Sequence, residues 1–329
     1  MKKSLNQLVI HYKVFKLFNN SLSTTKLIYR KITMFFNTIN DIIKLTVCAL
    51  SLFVFLQFFI KYNQKKTLFF PFSLKKKLHL CFTGFLANIA DTIGIGSFVV
   101  IVALNRFWSM IPTKNLPGTL NTHSLLPALI QCLAFLTLVK TDIITLITLL
   151  SAAILGSFIG ASIISKFNKR KIKISMVFAY CIIAILVFLN QIKLLPIGGN
   201  DFSLEGFKLV LGFFLMLIVG IFPAVGVGGY TPIQIILFLL GLNPLVAWPV
   251  MTTAGSIQQS MAASKFLSCN KVSLKESMIL AFAGIIGTIV TIPFVRIFDP
   301  NILRWLMFVI VVYNIITLTN DLKNNNSKQ

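Results

Sequence analysis

Five residues of this chain return later at one fixed spacing. Gly94, Gly96, Pro112, Pro117 and Ser124 recur as Gly226, Gly228, Pro244, Pro249 and Ser256, every pair separated by the same interval. Both sets lie inside strongly apolar sequence, where glycine and proline interrupt helices. A duplicated apolar unit broken at matching positions is the sequence pattern of secondary transporters, whose substrate sites form where the two interruptions meet.

The environment is a lipid bilayer. Hydrophobic residues make up 56% of the 329 residues, and charged ones only 12%, about half the share of a soluble protein. Mean hydropathy is +0.86. Long apolar runs recur along the chain, which predicts an all-α polytopic (multi-pass) protein of the cell inner membrane. The short alternating strands of an outer-membrane barrel are not the dominant pattern.

The net charge of +23 does not point to nucleic acid. The basic tracts 61–77 and 166–173 flank apolar runs, where lysine and arginine stay cytoplasmic and meet anionic lipid. The expected partners are therefore the lipid bilayer and a small anionic substrate. A homo-oligomer is compatible with the sequence. Cys48, Cys81, Cys132, Cys181 and Cys269 form no CxxC pair and read as small hydrophobes. No metal cluster, nucleophilic triad or phosphate loop is visible, so no cofactor and no enzyme activity are expected. An ATP-driven pump is disfavoured for the same reason.

The predicted domains are a basic N-terminal segment 1–77 with one apolar helix near 45–60, a first transmembrane repeat 78–192, a linker 193–206, a second repeat 207–320 and a polar tail 321–329. Val9, Val14, Phe15 and Phe18 against Lys13 and Lys16 suggest a surface amphipathic helix at the start. In the first repeat the expected segments are 79–104 (broken), 119–139, 143–165 and 174–192. In the second they are 207–241 (broken), 245–267, 276–297 and 302–319. Both 61–77 and 105–118 call for the cytoplasmic side, which requires 79–104 to enter and leave on one face. Each repeat then reads as a re-entrant broken hairpin plus three transmembrane helices, and the two are inverted. The same count puts residues 1–41, with seven basic residues, on the far side. Either 45–60 does not fully span, or this segment is translocated against the charge bias.

These motifs resemble those of the sulfite exporter TauE/SafE family. The resemblance rests on the stretch Ile-Gly-Ile-Gly at 93–96, Val-Gly-Val-Gly-Gly-Tyr-Thr-Pro at 225–232, Pro-Gly-Thr-Leu-Asn at 117–121, Ala-Trp-Pro-Val-Met-Thr-Thr at 247–253 and Leu-Gly-Ser-Phe-Ile-Gly-Ala at 155–161. It covers about residues 78–320. Ser97 stands where the family tends to a third glycine. The resemblance implies a permease for small sulfur-containing anions such as sulfite or organosulfonates.

The residues themselves suggest how an anion could be held. Gly94, Gly96, Gly226, Gly228 and Gly229 expose consecutive backbone N–H groups beside half-helix N-termini. Thr119, Asn121, Ser124, Thr252, Thr253, Ser256, Gln258 and Gln259 add neutral donors early in the following helices. The alternative for these small residues is tight helix packing, which is the better reading for Gly156, Gly160, Gly284 and Gly287. Asp91 is the one acid of eight that falls inside a broken segment. A carboxylate there is costly and usually functional, so Asp91, with His123 nearby, is the candidate for proton coupling. Its alternative is a protonated carboxyl donating to a carbonyl freed by the break. Two rival functions remain: a non-transporting membrane scaffold or assembly factor, and an intramembrane enzyme built on Asp91 and His123.

Overall fold

The computed structural model describes residues 41–65, 71–136, 142–196, 198–297 and 299–326. The chain divides into Met1–Leu45 and Thr46–Gln329. Of the first unit only the opening turn of a helix is described, with Lys44 paired to Asp41 at 3.1 Å. The amphipathic N-terminal helix expected around Val9–Phe18 lies outside the described residues.

Thirteen α-helices are present among the described residues, and no strand beyond an isolated bridge between Asp201 and Leu242. They are α1 (Asp41–Lys65), α2 (Leu74–Thr92), α3 (Ser97–Trp108), α4 (Leu116–His123), α5 (Leu125–Leu136), α6 (Ile143–Ile164), α7 (Lys169–Gln191), α8 (Gly206–Gly220), α9 (Phe222–Val225), α10 (Tyr230–Leu239), α11 (Pro244–Ser268), α12 (Leu274–Thr291) and α13 (Pro300–Asn326). Among the described residues, seven stretches are long and apolar enough to cross a membrane. They include α1, which at 25 residues exceeds the 45–60 expected and reaches the length a bilayer needs.

Both predicted interruptions are present, and both have the same cause. At the end of α2 the N–H of Gly94 donates to the Asp91 carbonyl (3.0 Å) and that of Ile95 to the Ala90 carbonyl (2.8 Å). At the end of α9 the N–H of Gly226 donates to Pro223 (3.0 Å) and that of Val227 to Phe222 (3.1 Å). Each pattern is the double bond of a Schellman cap, which needs a left-handed residue just past the helix. Gly94 and Gly226 fill that position with φ of 95° and 92°. The duplicated glycine is thus a duplicated helix stop.

Two further differences from expectation have a local cause. The helix predicted over 119–139 starts at Leu116 and splits at Ser124. Pro127 explains the split, because it cannot donate to the carbonyl four residues back. The corresponding residue of the second repeat is Gln259, and α11 runs unbroken for 25 residues. The basic tract 166–173, expected to lie between two segments, instead forms the first turn of α7 from Lys169, since the Asn168 side chain caps it by accepting the Lys171 N–H at 2.9 Å.

Packing crosses between the repeats. The first broken arm, α2, lies against α12, and the second, α8, lies against α6. Glycine makes both approaches close. A Cβ on Gly84 would fall 2.6 Å from the Leu280 carbonyl oxygen, and one on Gly287 2.4 Å from that of Phe85. One on Gly156 would fall 2.0 Å from the Leu217 oxygen, and one on Gly160 would press on Ile221. Gly284 faces the Asn88 amide. The packing role expected for Gly156, Gly160, Gly284 and Gly287 is what their contacts show.

Polar bonds tie the helix ends into two sets. In the first, Lys65 reaches Asn270 (3.4 Å), Lys76 pairs with Glu276 (2.9 Å), Asn115 meets Ser273 (3.3 Å), and Arg106 and Lys173 share Asp321. The start of α2 and the end of α3 both belong here. In the second set, Gly199 bonds Leu242 (3.0 Å), Asp201 bonds Gly241 (3.1 Å), Leu204 bonds the Thr145 hydroxyl (2.8 Å), and Arg304 bonds Asn190 (2.6 Å). The start of α8 and the end of α10 belong to this second set.

The close approaches predict a stability effect. Gly156→Ala and Gly287→Ala should each cost about 1–3 kcal/mol through overpacking, read as a lowered melting temperature in detergent. Leu155→Ala, on the exposed side of α6, should change it little.

Candidate functional site

The two interruptions meet. Gly96 from the first and Gly228 and Gly229 from the second line one small cavity, together with Asp91, Phe98, Tyr230 and Gln259. The cavity measures about 10 Å³, room for roughly one water molecule. The N-termini of α3 and α10 both open onto it, so two partial positive charges converge on one point.

Asp91 organises this place. The residue is 4% exposed. Its Oδ1 accepts the Ser97 backbone N–H at 2.6 Å and the Ser97 hydroxyl at 3.0 Å. The carboxylate therefore crosses the interruption and caps the helix that restarts beyond it. Its Oδ2 accepts from Gln131 Nε2 at 3.2 Å. Gln131 also donates to the Thr92 hydroxyl (3.2 Å), and its Oε1 accepts the Tyr230 hydroxyl proton at 3.2 Å. Tyr230 is the first residue of α10. A relay of three side chains thus joins the first interruption to the second through α5. The second repeat has no copy of the Asp91–Ser97 pair, because Pro223 and Gly229 stand at the corresponding positions.

The predicted site residues fall into distinct places. Gly96, Gly228, Gly229, Gln259 and Asp91 line the cavity. Gly94 faces Trp248, and Gly226 faces Leu120 and Met176. Trp248 packs over this first interruption and against Phe135. The remaining polar residues are buried and committed elsewhere. The Thr119 hydroxyl accepts the Ser273 N–H (3.0 Å). Asn121 donates to the carbonyls of Pro117 (2.8 Å) and Pro223 (2.7 Å), latching α4 to α9. Ser124 donates to the Leu120 carbonyl (3.1 Å), and Thr252 to that of Trp248 (3.0 Å). Thr253 accepts from Cys132 (3.5 Å), and Ser256 meets Ser51 (3.5 Å). Gln258, beside Gly229, has both amide atoms buried without a partner, as does Oε1 of Gln259. His123 does not line the cavity. Its ring lies 3.2 Å from the Ser124 hydroxyl and shares no hydrogen bond with Asp91.

Gln131 and Tyr230 were not singled out in the sequence. Tyr230 follows the second glycine pair directly, and Gln131 is a lone amide in an apolar run. Either pattern signals a buried polar partner somewhere, and neither says which.

Fold and site together define a multi-pass helical membrane protein with two interrupted segments that face each other across a small polar cavity. Residues 32–188 match the family model described as Sulfite exporter TauE/SafE. The resemblance read from the glycine motifs therefore holds over that stretch, and it begins well before residue 78. The family is one of membrane transporters for sulfur anions. No curated protein and no solved structure matches the chain.

The relay yields a stability prediction. Tyr230→Phe leaves Gln131 Oε1 a buried acceptor without its donor, at a cost of about 1–3 kcal/mol by thermal unfolding. Tyr180→Phe, whose hydroxyl bond to the Gly226 carbonyl is longer at 3.4 Å, should cost less.

Proposed function

We propose that this protein is a permease for a small sulfur-containing oxyanion such as sulfite or an organosulfonate, and that it works by alternating access to the cavity between the two interruptions. The observation that carries the reading is the convergence of the α3 and α10 N-termini on one buried polar point. Such a point offers an oxyanion backbone N–H groups and dipole charge without a fixed cation. The family match over residues 32–188 supports the substrate class. The cavity's small volume fits a closed form that opens to admit its guest. Among the predicted polar residues, we assign contact with the anion to Gly96, Gly228, Gly229 and Gln259, and support of the surrounding helices to Thr119, Asn121, Ser124, Thr252, Thr253 and Ser256. Proton coupling is assigned to Asp91, while His123 stays with the supporting group.

The repeats 78–192 and 207–320 are proposed to be inverted in the membrane. The two sets of tied helix ends support this, with the first broken hairpin beginning and ending in one and the second in the other. The basic residues Lys76, Arg106, Lys114 and Lys173 would then be cytoplasmic. Cysteines placed singly at Lys171 and at Lys208 in a chain lacking native cysteines test the arrangement. An impermeant thiol reagent applied to sealed cells should label the second and spare the first. Equal labelling would defeat the inversion.

Flux through liposomes tests the transport reading directly. The purified protein should carry at least one of radiolabelled sulfite, sulfate, taurine and sulfoacetate, with a rate that responds to a pH gradient. No flux of any would favour the scaffold reading, in which the glycines serve packing alone. Gly228 sharpens the test. A Cβ there would meet nothing closer than the Phe98 Cβ at 4.0 Å, so packing does not require glycine. Gly228→Ala should keep the wild-type melting temperature yet reduce flux about tenfold or more by narrowing the cavity.

A further inference from the structure

The cavity that would bind the anion already holds a negative group. Asp91 Oδ1 sits on the first N–H of α3, at 2.6 Å, with the Ser97 hydroxyl at 3.0 Å. These are the donors an oxyanion would use at that helix end. All three bonds to the carboxylate come from neutral donors, two from Ser97 and one from Gln131. The cavity lining contains no lysine, arginine or histidine, and Asp91 and Tyr230 are its only titratable side chains. From the elements packed around it, the further titratable groups are His123 on α4, against the lining residue Phe98, Cys132 on α5, and Tyr180 on α7, whose hydroxyl bonds the Gly226 carbonyl, and all three are buried. Among the described residues no cation lines the cavity to compensate a second negative charge, and two like charges this close in a low-dielectric site repel strongly.

One more feature marks the place as built for a guest. Gln259, 3% exposed, lines the cavity, and its Oε1 is buried with no hydrogen-bond partner. Its amide can turn either end toward a ligand.

We infer that Asp91 is a tethered stand-in for the substrate: its carboxylate and the transported anion occupy the α3 N-terminus in turn, and each monoanion binds together with one proton that settles on Asp91. This rests on the permease reading above and adds its coupling rule. Before binding, the site holds Asp91 as carboxylate. A proton from solvent joins one carboxylate oxygen, the neutral acid releases the Ser97 N–H and O–H, and the anion takes those donors. Charge balances, because one negative group stands in the cavity before and after. Transport of a monoanion is then an electroneutral co-movement with one proton. The pairing of Asp91 with Ser97 in the first repeat alone gives the cavity a single such stand-in.

Equilibrium binding of radiolabelled methanesulfonate to the full-length protein tests the inference, because that probe keeps its charge across the pH range. Wild-type affinity should fall by up to about tenfold per pH unit where Asp91 is ionised. Asp91→Asn should bind with no such dependence, at least as tightly as wild type at low pH, and Asp91→Glu should restore the slope. Difference infrared spectra of the wild-type protein give a second readout that needs no variant. Adding methanesulfonate should raise a carboxylic C=O band and deplete a carboxylate band. A flat wild-type pH profile, an unchanged slope in Asp91→Asn, or no carboxylic band on binding would overturn the inference while leaving the permease reading standing. Failure of wild type to bind methanesulfonate or sulfite at any pH would overturn both.

Discussion

Lipid offers no hydrogen bonds, so a helix interrupted at membrane depth must find partners for its freed backbone groups within the protein. The structure meets this demand twice with one device. Gly94 and Gly226 fold the next two N–H groups back onto the helix just ended. The first interruption then adds Asp91, which reaches forward to cap α3. Cover comes from the opposite repeat, and that cover dictates the close glycine approaches between α2 and α12 and between α6 and α8.

A consequence is the character of α11. This helix is 25 residues long and buried along most of its length, yet it carries Thr252, Thr253, Ser256, Gln258, Gln259 and Ser260. Much of its polarity is answered by its own backbone or by neighbouring helices. Thr252 returns to the carbonyl of its own preceding turn, and the Gln258 carbonyl accepts the Ser157 hydroxyl at 2.6 Å. Hydroxyls that look like ligands in the sequence thus have domestic partners, while the unanswered amides of Gln258 and Gln259 gather beside Gly229 and the cavity. In a buried interior, an unanswered polar atom calls for more explanation than an answered one.

Much of the helix order was legible because apolar length, glycine stops and basic flanks are local signals. The duplicated glycines located both interruptions, and Asp91 stood out as the lone acid within one. What the sequence hid was relational. Pro127 splits α4 from α5 where Gln259 leaves α11 whole, a difference visible only once the two repeats are laid residue on residue. Asn168 turns a basic tract into a helix start by capping it. Gln131 joins Asp91 to Tyr230 from a helix where nothing else marks it, because hydrogen-bond partners distant along the chain leave no periodic trace. Ser97, directly after the first glycine pair, turns out to be the residue that Asp91 grips.

The exchanged packing of the broken arms has a mechanical consequence. With α2 seated on α12 and α8 seated on α6, the packed helix pairs do not coincide with the two repeats read from the sequence. A displacement of α2 would meet α12, and one of α8 would meet α6. In the cycle proposed above, each broken segment would move together with a helix of the other repeat through direct backbone contact, with no separate linkage.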